Sequence, residues 1–575
     1  MLKLYRYLKP YSFMIICVLI FIFLQTLGDL YLPTLMGNII NDGVMQGDTK
    51  EILHIGGLML LVTGGGLVCA VITGFLSSRI AVGFGTILRS KIFKKVESFS
   101  LLEFDSFGAA THITRTTNDI NQIQMVTVMI MRMMISAPMM AIGGTILAMR
   151  RDRELTLVLA VSLPVLAGIV AWIASLMIPL FRSIQKKVDK INLVLREKLT
   201  GIRVIRAFNT VEREERRFAD ANNDLTDTYI RVNRIMAFMM PSIMIIMNLT
   251  QLSIFWFGGL RIADGDMDLG ALSSFTQYAM QIMMSVLMLA VMFIMVPRAQ
   301  AAADRINEVL ETDAEIVDPK NTRNDFTGKG YVEFRNVSFS YHGAEEPVLQ
   351  NISFSAKPGE ITAIIGSTGS GKSTLINLIP RFYDVSEGGI FIDDVDVREF
   401  SQETLRNKIG FVPQKAVLFS GTVADNIRVG KDDATDGEIR HAAEVAQAAE
   451  FIEGMDGGYE HEIAQGGANV SGGQKQRLSI ARALVRRPEI YIFDDSFSAL
   501  DFKTDARLRA ALKKEIAEAT VFIVTQRVGT VMDADRIIVL DEGKIAGIGT
   551  HRELLGSCVV YREIVESQLT EDEIA

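Results

Sequence analysis

Cysteine is scarce in this chain: Cys17, Cys69 and Cys558 are the only three in 575 residues, and they lie far apart. No C-x-x-C pair and no Cys/His cluster occurs, which excludes a disulfide framework and a structural metal site. Each thiol reads as small apolar filler. An excess of positive charge is missing too. The formal net charge of −8 averages two unlike halves and offers nothing to a nucleic-acid partner. No cleavable leader is expected either. Lys3, Arg6 and Lys9 precede an apolar run from Phe13 to about Leu35, but that run is too long for a leader and no small-x-small site closes it. It is read as a retained first span.

What is present is apolar length. A helix needs about 20 apolar residues to cross the hydrocarbon of a bilayer. Six segments reach that, at 13–35, 55–78, 123–149, 155–180, 235–260 and 269–296, and the last three contain no charged residue. Backbone groups in lipid need internal partners, which leaves helices as the economical solution. Residues 1 to about 300 also hold most of the 28 methionines. The mean hydropathy of +0.26 averages this half with an ordinary charged one.

The loops orient the spans. The segment after the second span carries Arg79, Arg89, Lys91, Lys94 and Lys95, and the segment from Arg182 to Arg234 is rich in Lys and Arg. The first and last external loops are short and acidic, with Asp42, Asp48 and Glu51 in one and Asp264, Asp266 and Asp268 in the other. The positive-inside rule then puts the N-terminus, both long loops and the C-terminus in the cytoplasm. One loop disagrees: Arg150, Arg151 and Arg153 fall outside, partly offset by Asp152 and Glu154. Stretches such as ILRSKIFKKVESF and INLVLREKLTGIRVIRAF keep a helical pattern, so the spans are expected to continue well past the membrane. His54 and His112 are read as plain polar residues.

Residues 311–330 are polar and hold Pro319 and two glycines, a linker signature. From Tyr331 the pattern YVEFRNVSFSY alternates like a strand. The expected architecture is an α-helical six-span transmembrane domain at 1–310, the linker, and an α/β P-loop domain at 331–575.

The strongest motif is Gly366, Ser367, Thr368, Gly369, Ser370, Gly371, Lys372, Ser373 and Thr374, set between the strand-like ITAII and the helical STLINLI. Glycines let backbone amides approach phosphate oxygens, and the helix N-terminus adds a favourable dipole. Lys372 is expected to reach the β- and γ-phosphates of ATP, and the Ser373 hydroxyl to coordinate Mg²⁺. Further on come Val470 and the run Ser471, Gly472, Gly473 and Gln474, then the apolar Ile490–Phe493 ending in Asp494 and Asp495. Asp494 is placed to bind Mg²⁺ through water.

These motifs, in this order, resemble an ATP-binding cassette (ABC) exporter of the half-transporter type over essentially the full length. The resemblance implies that Tyr341 stacks on adenine and that Gln414 links Mg²⁺ to the membrane domain. It implies further that Ser498 to Asp501 form the D-loop. Ser471 to Gln474 would be the signature motif, which contacts the γ-phosphate held by the opposing subunit. In the membrane half the run Phe104-Asp105-Ser-Phe107, the run Thr114 to Asp119 and the run Leu199 to Phe208 match family patterns flanking the coupling helices.

Two positions depart from the family. The residue after the Mg²⁺-binding aspartate is usually Glu and here is Asp495; the switch histidine is replaced by Gln526. Asp is one methylene shorter than Glu, and a displacement of about 1 Å can cost on the order of 100-fold in rate. Gln carries no proton, and losing a positioned acid or base costs roughly 10²- to 10⁴-fold. The site is therefore expected to bind ATP and hydrolyse it poorly, while SGGQ stays intact. That combination resembles the degenerate-site subunit of heterodimeric multidrug ABC exporters, with a second, non-identical half-transporter as partner. A smaller departure is Ala464-Gln465-Gly466-Gly467, where the family commonly has G-E-R-G.

The cargo is less legible. Gln277, Gln281, Met284, Met288, Met292 and Met295 fall on one stripe of the sixth span, and Met236, Met240, Met244, Met247 and Gln251 on one of the fifth. Methionine adapts to varied ligands, so the stripes fit either a cavity for amphipathic small molecules or plain packing and lipid contact. Arg132 interrupts the third span; a charge there usually faces water, a partner or a cavity, or sits near the interface where the helix extends into the cytoplasm. The expected protein is a multi-pass plasma-membrane exporter driven by ATP hydrolysis, in contact with membrane lipids. A homodimeric lipid flippase and an ATP-gated or regulatory subunit are the alternatives; a peptide-processing exporter is disfavoured because no protease domain precedes the first span.

Overall fold

A bare N–H or C=O has no partner in hydrocarbon, so each long apolar run closes its hydrogen bonds within one helix. The computed structural model describes residues 1–321, 323 and 328–569. It divides into two units, Met1–Glu97 with Ala109–Thr312, and Ser98–Gly108 with Asp313–Ala575.

The first unit is helical. Its long helices are α1 (Ser12–Asn38), α2 (Thr49–Glu97), α3 (Ile120–Arg151), α4 (Thr156–Thr200), α5 (Val211–Ala263) and α6 (Leu269–Glu311). All six are long and apolar enough to cross a membrane, and each expected span lies in its own helix, the fourth starting one residue late. Helix α5 has 53 residues, about 80 Å at 1.5 Å per residue, against a hydrocarbon core of about 30 Å. The helices therefore run on well beyond the bilayer.

Small residues let these helices approach closely. A Cβ added at Gly144 of α3 would lie 2.8 Å from Ile282 of α6. The Tyr278 hydroxyl of α6 lies 2.5 Å from Thr34 Oγ1 and donates to the Leu30 carbonyl of α1 at 3.1 Å. At the far ends, Asp119 is buried and accepts from Arg305 Nε and Nη2 at 2.8 and 2.5 Å. Arg115 pairs with Glu308 at 2.8 Å. The run Thr114 to Asp119 thus clasps the end of α6. Asp152 and Glu154, counted against Arg150, Arg151 and Arg153 in the charge of that loop, are held by Arg261, with Nε 2.6 Å from Asp152 Oδ2.

The second unit is α/β. A six-stranded sheet runs β12-β11-β3-β10-β9-β6, and a four-stranded one β2-β1-β4-β5. The strands are β1 (Val332–Phe339), β2 (Leu349–Ala356), β3 (Ile361–Gly366), β4 (Glu387–Ile392), β5 (Val395–Asp396), β6 (Ile409–Val412), β7 (Gly421–Thr422), β8 (Glu462–Ile463), β9 (Ile490–Asp494), β10 (Thr520–Val524), β11 (Arg536–Asp541) and β12 (Lys544–Gly549). Strands β9 and β10 are buried at every position, as expected of parallel strands covered on both faces, whereas β1 mixes buried and exposed positions. Strands β6, β9, β10, β3 and β11 are mutually parallel.

The sequence places residues 98–108 in the first domain; here they pack within the second unit. Their helix Leu101–Phe107 opens with a capping box between Ser100 and Glu103. Glu103 also accepts from the Glu315 backbone N–H at 3.0 Å. Burial pushes the Glu103 carboxyl up, but the hydrogen bonds from Ser100 and Glu315 outweigh it and hold it below the usual range. The linker reading of 311–330 falls partly on residues 322 and 324–327, outside the described residues.

Candidate nucleotide-binding site

In an open parallel sheet the loops beyond the strand carboxyl ends gather along one edge. Four adjacent strands, β3, β10, β9 and β6, end there. The P-loop leaves β3, Gln526 follows β10, Asp494 ends β9, and Gln414 follows β6. Their loops close a cavity of about 250 Å³ lined by Thr368, Gly369, Gly371, Lys372, Ser373, Thr374, Gln414, Asp494, Asp495, Thr525 and Gln526, with Val348 and Val524.

The P-loop turns from β3 into helix α7 (Lys372–Leu378). Gly369 and Gly371 have φ of 85° and 96°, the left-handed region where a side chain is strained. Lys372 Nζ donates to the Gly366 and Ser367 carbonyls at 2.9 and 2.6 Å and lies 3.4 Å from Ser370 Oγ. The ammonium is thus held across the loop. Ser373 Oγ donates to Asp494 Oδ1 at 3.1 Å. Tyr341 sits edge-on to Phe339 and Tyr383, and its hydroxyl lies 3.0 Å from Thr374 Oγ1, so the ring is fixed beside α7.

The electrostatics are unbalanced in a telling way. Burial pushes the Lys372 ammonium below its ordinary range, against the pull of Asp494 and Asp495. Burial also pushes the Asp494 carboxyl up, helped by the neighbouring Asp495 charge and opposed by Ser373 and Lys372. A polyanion beside Lys372 and a divalent cation beside Asp494 would each relieve one of these costs. Ser373, Gln414 and Asp494 line the same cavity and offer oxygen donors, the donor chemistry Mg²⁺ prefers. The residues fit the ion.

Asp495 and Gln526 line the same cavity. Asp495 has φ of 43°, a conformation Asp tolerates better than most residues. Its N–H donates to the Val524 carbonyl at 2.8 Å and its carbonyl accepts from Ser498 Oγ at 2.9 Å. The Gln526 carbonyl accepts from Gln568 at 2.7 Å. Both positions are held by backbone contacts, so their side-chain chemistry can change without disturbing the loops.

The remaining expected residues lie elsewhere. Ser471 caps helix α8 (Gly472–Val485), in a capping box with Gln474. Ser471 and Gly472 are exposed, and none of Ser471, Gly472, Gly473 and Gln474 lines the cavity. A Cβ on Gly473 would lie 3.2 Å from the Ala499 carbonyl, so the signature abuts the D-loop. Asp501 caps helix α9 (Phe502–Glu515), accepting from the Thr504 N–H at 3.0 Å, and that bond lowers its carboxyl below the usual range. The sequence reading missed Thr525, Val348 and Val524 in the lining. It also missed that Arg527 Nη2 donates to the Ser498 carbonyl at 2.7 Å, tying the strand-end switch to the D-loop. Thr525 could have been found as the neighbour of Gln526 at a strand end; the Arg527 contact has no sequence signal.

Comparison with known proteins adds two family matches. Residues 15–286 match the ABC transporter transmembrane region, and residues 349–498 match the ABC transporter domain. An uncharacterized ABC transporter ATP-binding protein of Mycobacterium tuberculosis is 45% identical, covering 98% of this chain and 97% of its own. The YfiB protein of Bacillus subtilis, also described as an uncharacterized ABC transporter ATP-binding protein, is 38% identical over 99% and 98%. A fatty acid ABC transporter ATP-binding/permease protein of Mycobacterium bovis is 32% identical over 84% and 76%. Among solved structures, a bacterial Atm1-family ABC exporter with ATP bound superposes with a TM-score of 0.81, at 24% identity, over 97% of this chain and 99% of that one. That likeness concerns the fold.

Proposed function

Because this chain belongs to the ABC transporter family and carries both the transmembrane region and the ATP-binding domain, we propose that it is one subunit of a heterodimeric exporter. It uses ATP to move amphipathic compounds, drugs or lipids, out of the cytoplasm or inner leaflet. It contributes an ATP site weak in hydrolysis and an intact signature motif to the partner's site. The observation that carries this reading is the pairing, on one chain, of Asp495 and Gln526 in the nucleotide cavity with a capped SGGQ outside it, exposed at Ser471 and Gly472.

Lys372 and the amides at the start of α7 bind the ATP phosphates, and Tyr341 offers its ring to adenine. Mg²⁺, held by Ser373, Gln414 and Asp494, would neutralise phosphate charge. Asp495 falls short of the attacking water and Gln526 holds no transferable proton, so ATP dwells here. SGGQ is presented to a nucleotide on the partner, whose Glu and His perform the cleavage. Only ATP bridges a P-loop and an opposing signature, so its presence selects the closed dimer. The short helix Ile202–Ala207 leaves Val204 60% and the adjoining Phe208 76% exposed, an apolar surface that a partner subunit would cover. The ATP-binding domain and both termini lie in the cytoplasm, and the domains divide at the 311–330 linker. The fatty acid transporter among the relatives is consistent with lipid-like cargo.

The test is ATP turnover by the full chain in nanodiscs, alone and with a half-transporter that supplies Glu and His. Alone, the chain binds ATP and turns over little; with the partner, turnover appears. Brisk hydrolysis by the isolated chain, lost in Asp495→Asn, would overturn the heterodimer.

A further inference from the structure

Besides the nucleotide cavity, the second unit holds a cavity of about 500 Å³. Its floor follows from strand alternation, because residues two apart share one face of a sheet. Val521 and Ile523 of β10 lie in register with Ile361 of β3 and Phe493 of β9, and all four line the floor. Helix α9 forms the roof with Ala506, Arg509, Ala510 and Lys513, whose spacing puts them on one helix face. Two of those four are alanines. Their short side chains leave open a space that larger residues would close, in a domain whose interior is otherwise packed.

The third side is the segment that follows Gln526, through Thr530, Asp533 and Ala534. Thr530 is buried. Its hydroxyl has no hydrogen-bond partner among the described residues, and it is not wholly enclosed. Arg509 is already matched: Nη1 donates to the Gly529 carbonyl at 3.1 Å, and Nη2 lies 3.2 Å from Asp505 Oδ2. Lys513 and Asp533 are not. Both are exposed where they line the cavity. Among the described residues neither side chain makes an ion pair or a hydrogen bond, with the other or with anything else.

The cavity therefore sets one unmatched cation, one unmatched carboxylate and one unpartnered hydroxyl around apolar walls. Small-molecule sites are built this way: about 300–1,000 Å³, apolar in the main, with a few polar groups that fix orientation. The charges restrict the ligand further. An anion would satisfy Lys513 and be repelled by Asp533, and a cation would do the reverse. A small molecule that carries both charges answers both.

We propose that this cavity is a second ligand site of the ATP-binding domain, for a zwitterionic α-amino acid with a large apolar side chain. The ammonium pairs with Asp533, and the carboxylate pairs with Lys513 and accepts from the Thr530 hydroxyl. The side chain lies between Ile361 and Ile523 below and Ala506 and Ala510 above. The site stands apart from the transport reading and does not depend on it. The probe is 5-fluoro-L-tryptophan, titrated against the full chain in phosphatidylcholine nanodiscs and followed by fluorine NMR line broadening, with empty nanodiscs as the blank. Two controls each lack one charge: 5-fluorotryptamine has no carboxylate and 5-fluoroindole-3-propionate no ammonium. Binding of a fluorescent ATP analogue reports that each variant is folded. The amino acid is expected to bind at least threefold tighter than either control. Lys513→Gln and Asp533→Asn should each weaken it roughly three- to fivefold, the worth of one partly exposed ion pair. Ala510→Phe, which fills the cavity from the roof, should abolish binding. No binding of the amino acid beyond the blank would overturn the proposal. So would equal binding of either control, or binding left unchanged by any of the three variants.

Discussion

The nucleotide cavity has two walls that differ in completeness. On one, Lys372 is held over the P-loop carbonyls and Ser373 is bonded to Asp494. On the other lie Asp495 and Gln526, which we read as a shorter acid and a non-titratable amide in place of the usual Glu and His. The first draws on the loop leaving β3 and on Asp494 at the end of β9, the second on the residues that follow β9 and β10. Gripping ATP and cutting it are therefore physically separable, and a chain can lose the second while keeping the first.

The harshest way to break the comparison is Lys372→Ala, which removes the charge-assisted bonds to phosphate. Binding of a fluorescent ATP analogue to the purified chain is expected to weaken about 100-fold; a change under threefold would show that the binding wall is not what holds ATP. Next comes restoration. The double variant Asp495→Glu, Gln526→His is expected to raise hydrolysis at this site on the order of 10- to 100-fold, measured as single-turnover phosphate release with the partner's own site disabled. No gain would mean that the second wall is incomplete for another reason. Tyr341 gives a smaller effect. Tyr341→Ala should weaken the analogue about tenfold through lost stacking, whereas Tyr341→Phe loses only the Thr374 bond and should change affinity less than about threefold.

The mildest test is pH. Asp494 is raised in the folded protein, chiefly by burial, so it takes up a proton at a higher pH than an unfolded aspartate. Mg²⁺-dependent nucleotide binding needs the charged form and should fade as pH falls through that raised value. The ligand-free unit should gain stability over the same window, because protonation removes a buried charge. Ser373→Ala deletes a bond that favours the charged form and should move the fade to higher pH; calorimetric titration at several pH values reads it. An unchanged midpoint would separate Ser373 from Asp494.

Much of this was legible in the residues. Six apolar runs announced six helices because lipid leaves the backbone no alternative, and the P-loop announced itself because phosphate binding needs glycines, a lysine and a helix start within a few positions. Asp495 and Gln526 were legible as departures, since a missing methylene or a missing proton is a property of the residue itself. Lys513 and Asp533 belong to no motif and carried no expectation. That both line one cavity without partners is a fact of packing. The pairing of Arg261 with Asp152 and Glu154 was hidden for the same reason, because adjacent charges in sequence compete with a distant one brought close by the fold.

By itself the sequence determined the helical and α/β halves, the membrane-spanning lengths and the chemical inventory of the nucleotide site, because each depends on local composition, periodicity or a short contiguous motif. Only the tertiary structure decided that four strand ends meet at one cavity and that SGGQ stays outside it. It also decided that residues 98–108 pack with the second unit and that Lys513 and Asp533 line one cavity. Those outcomes depend on strand order and helix packing between segments up to hundreds of residues apart, and no local pattern encodes such neighbours.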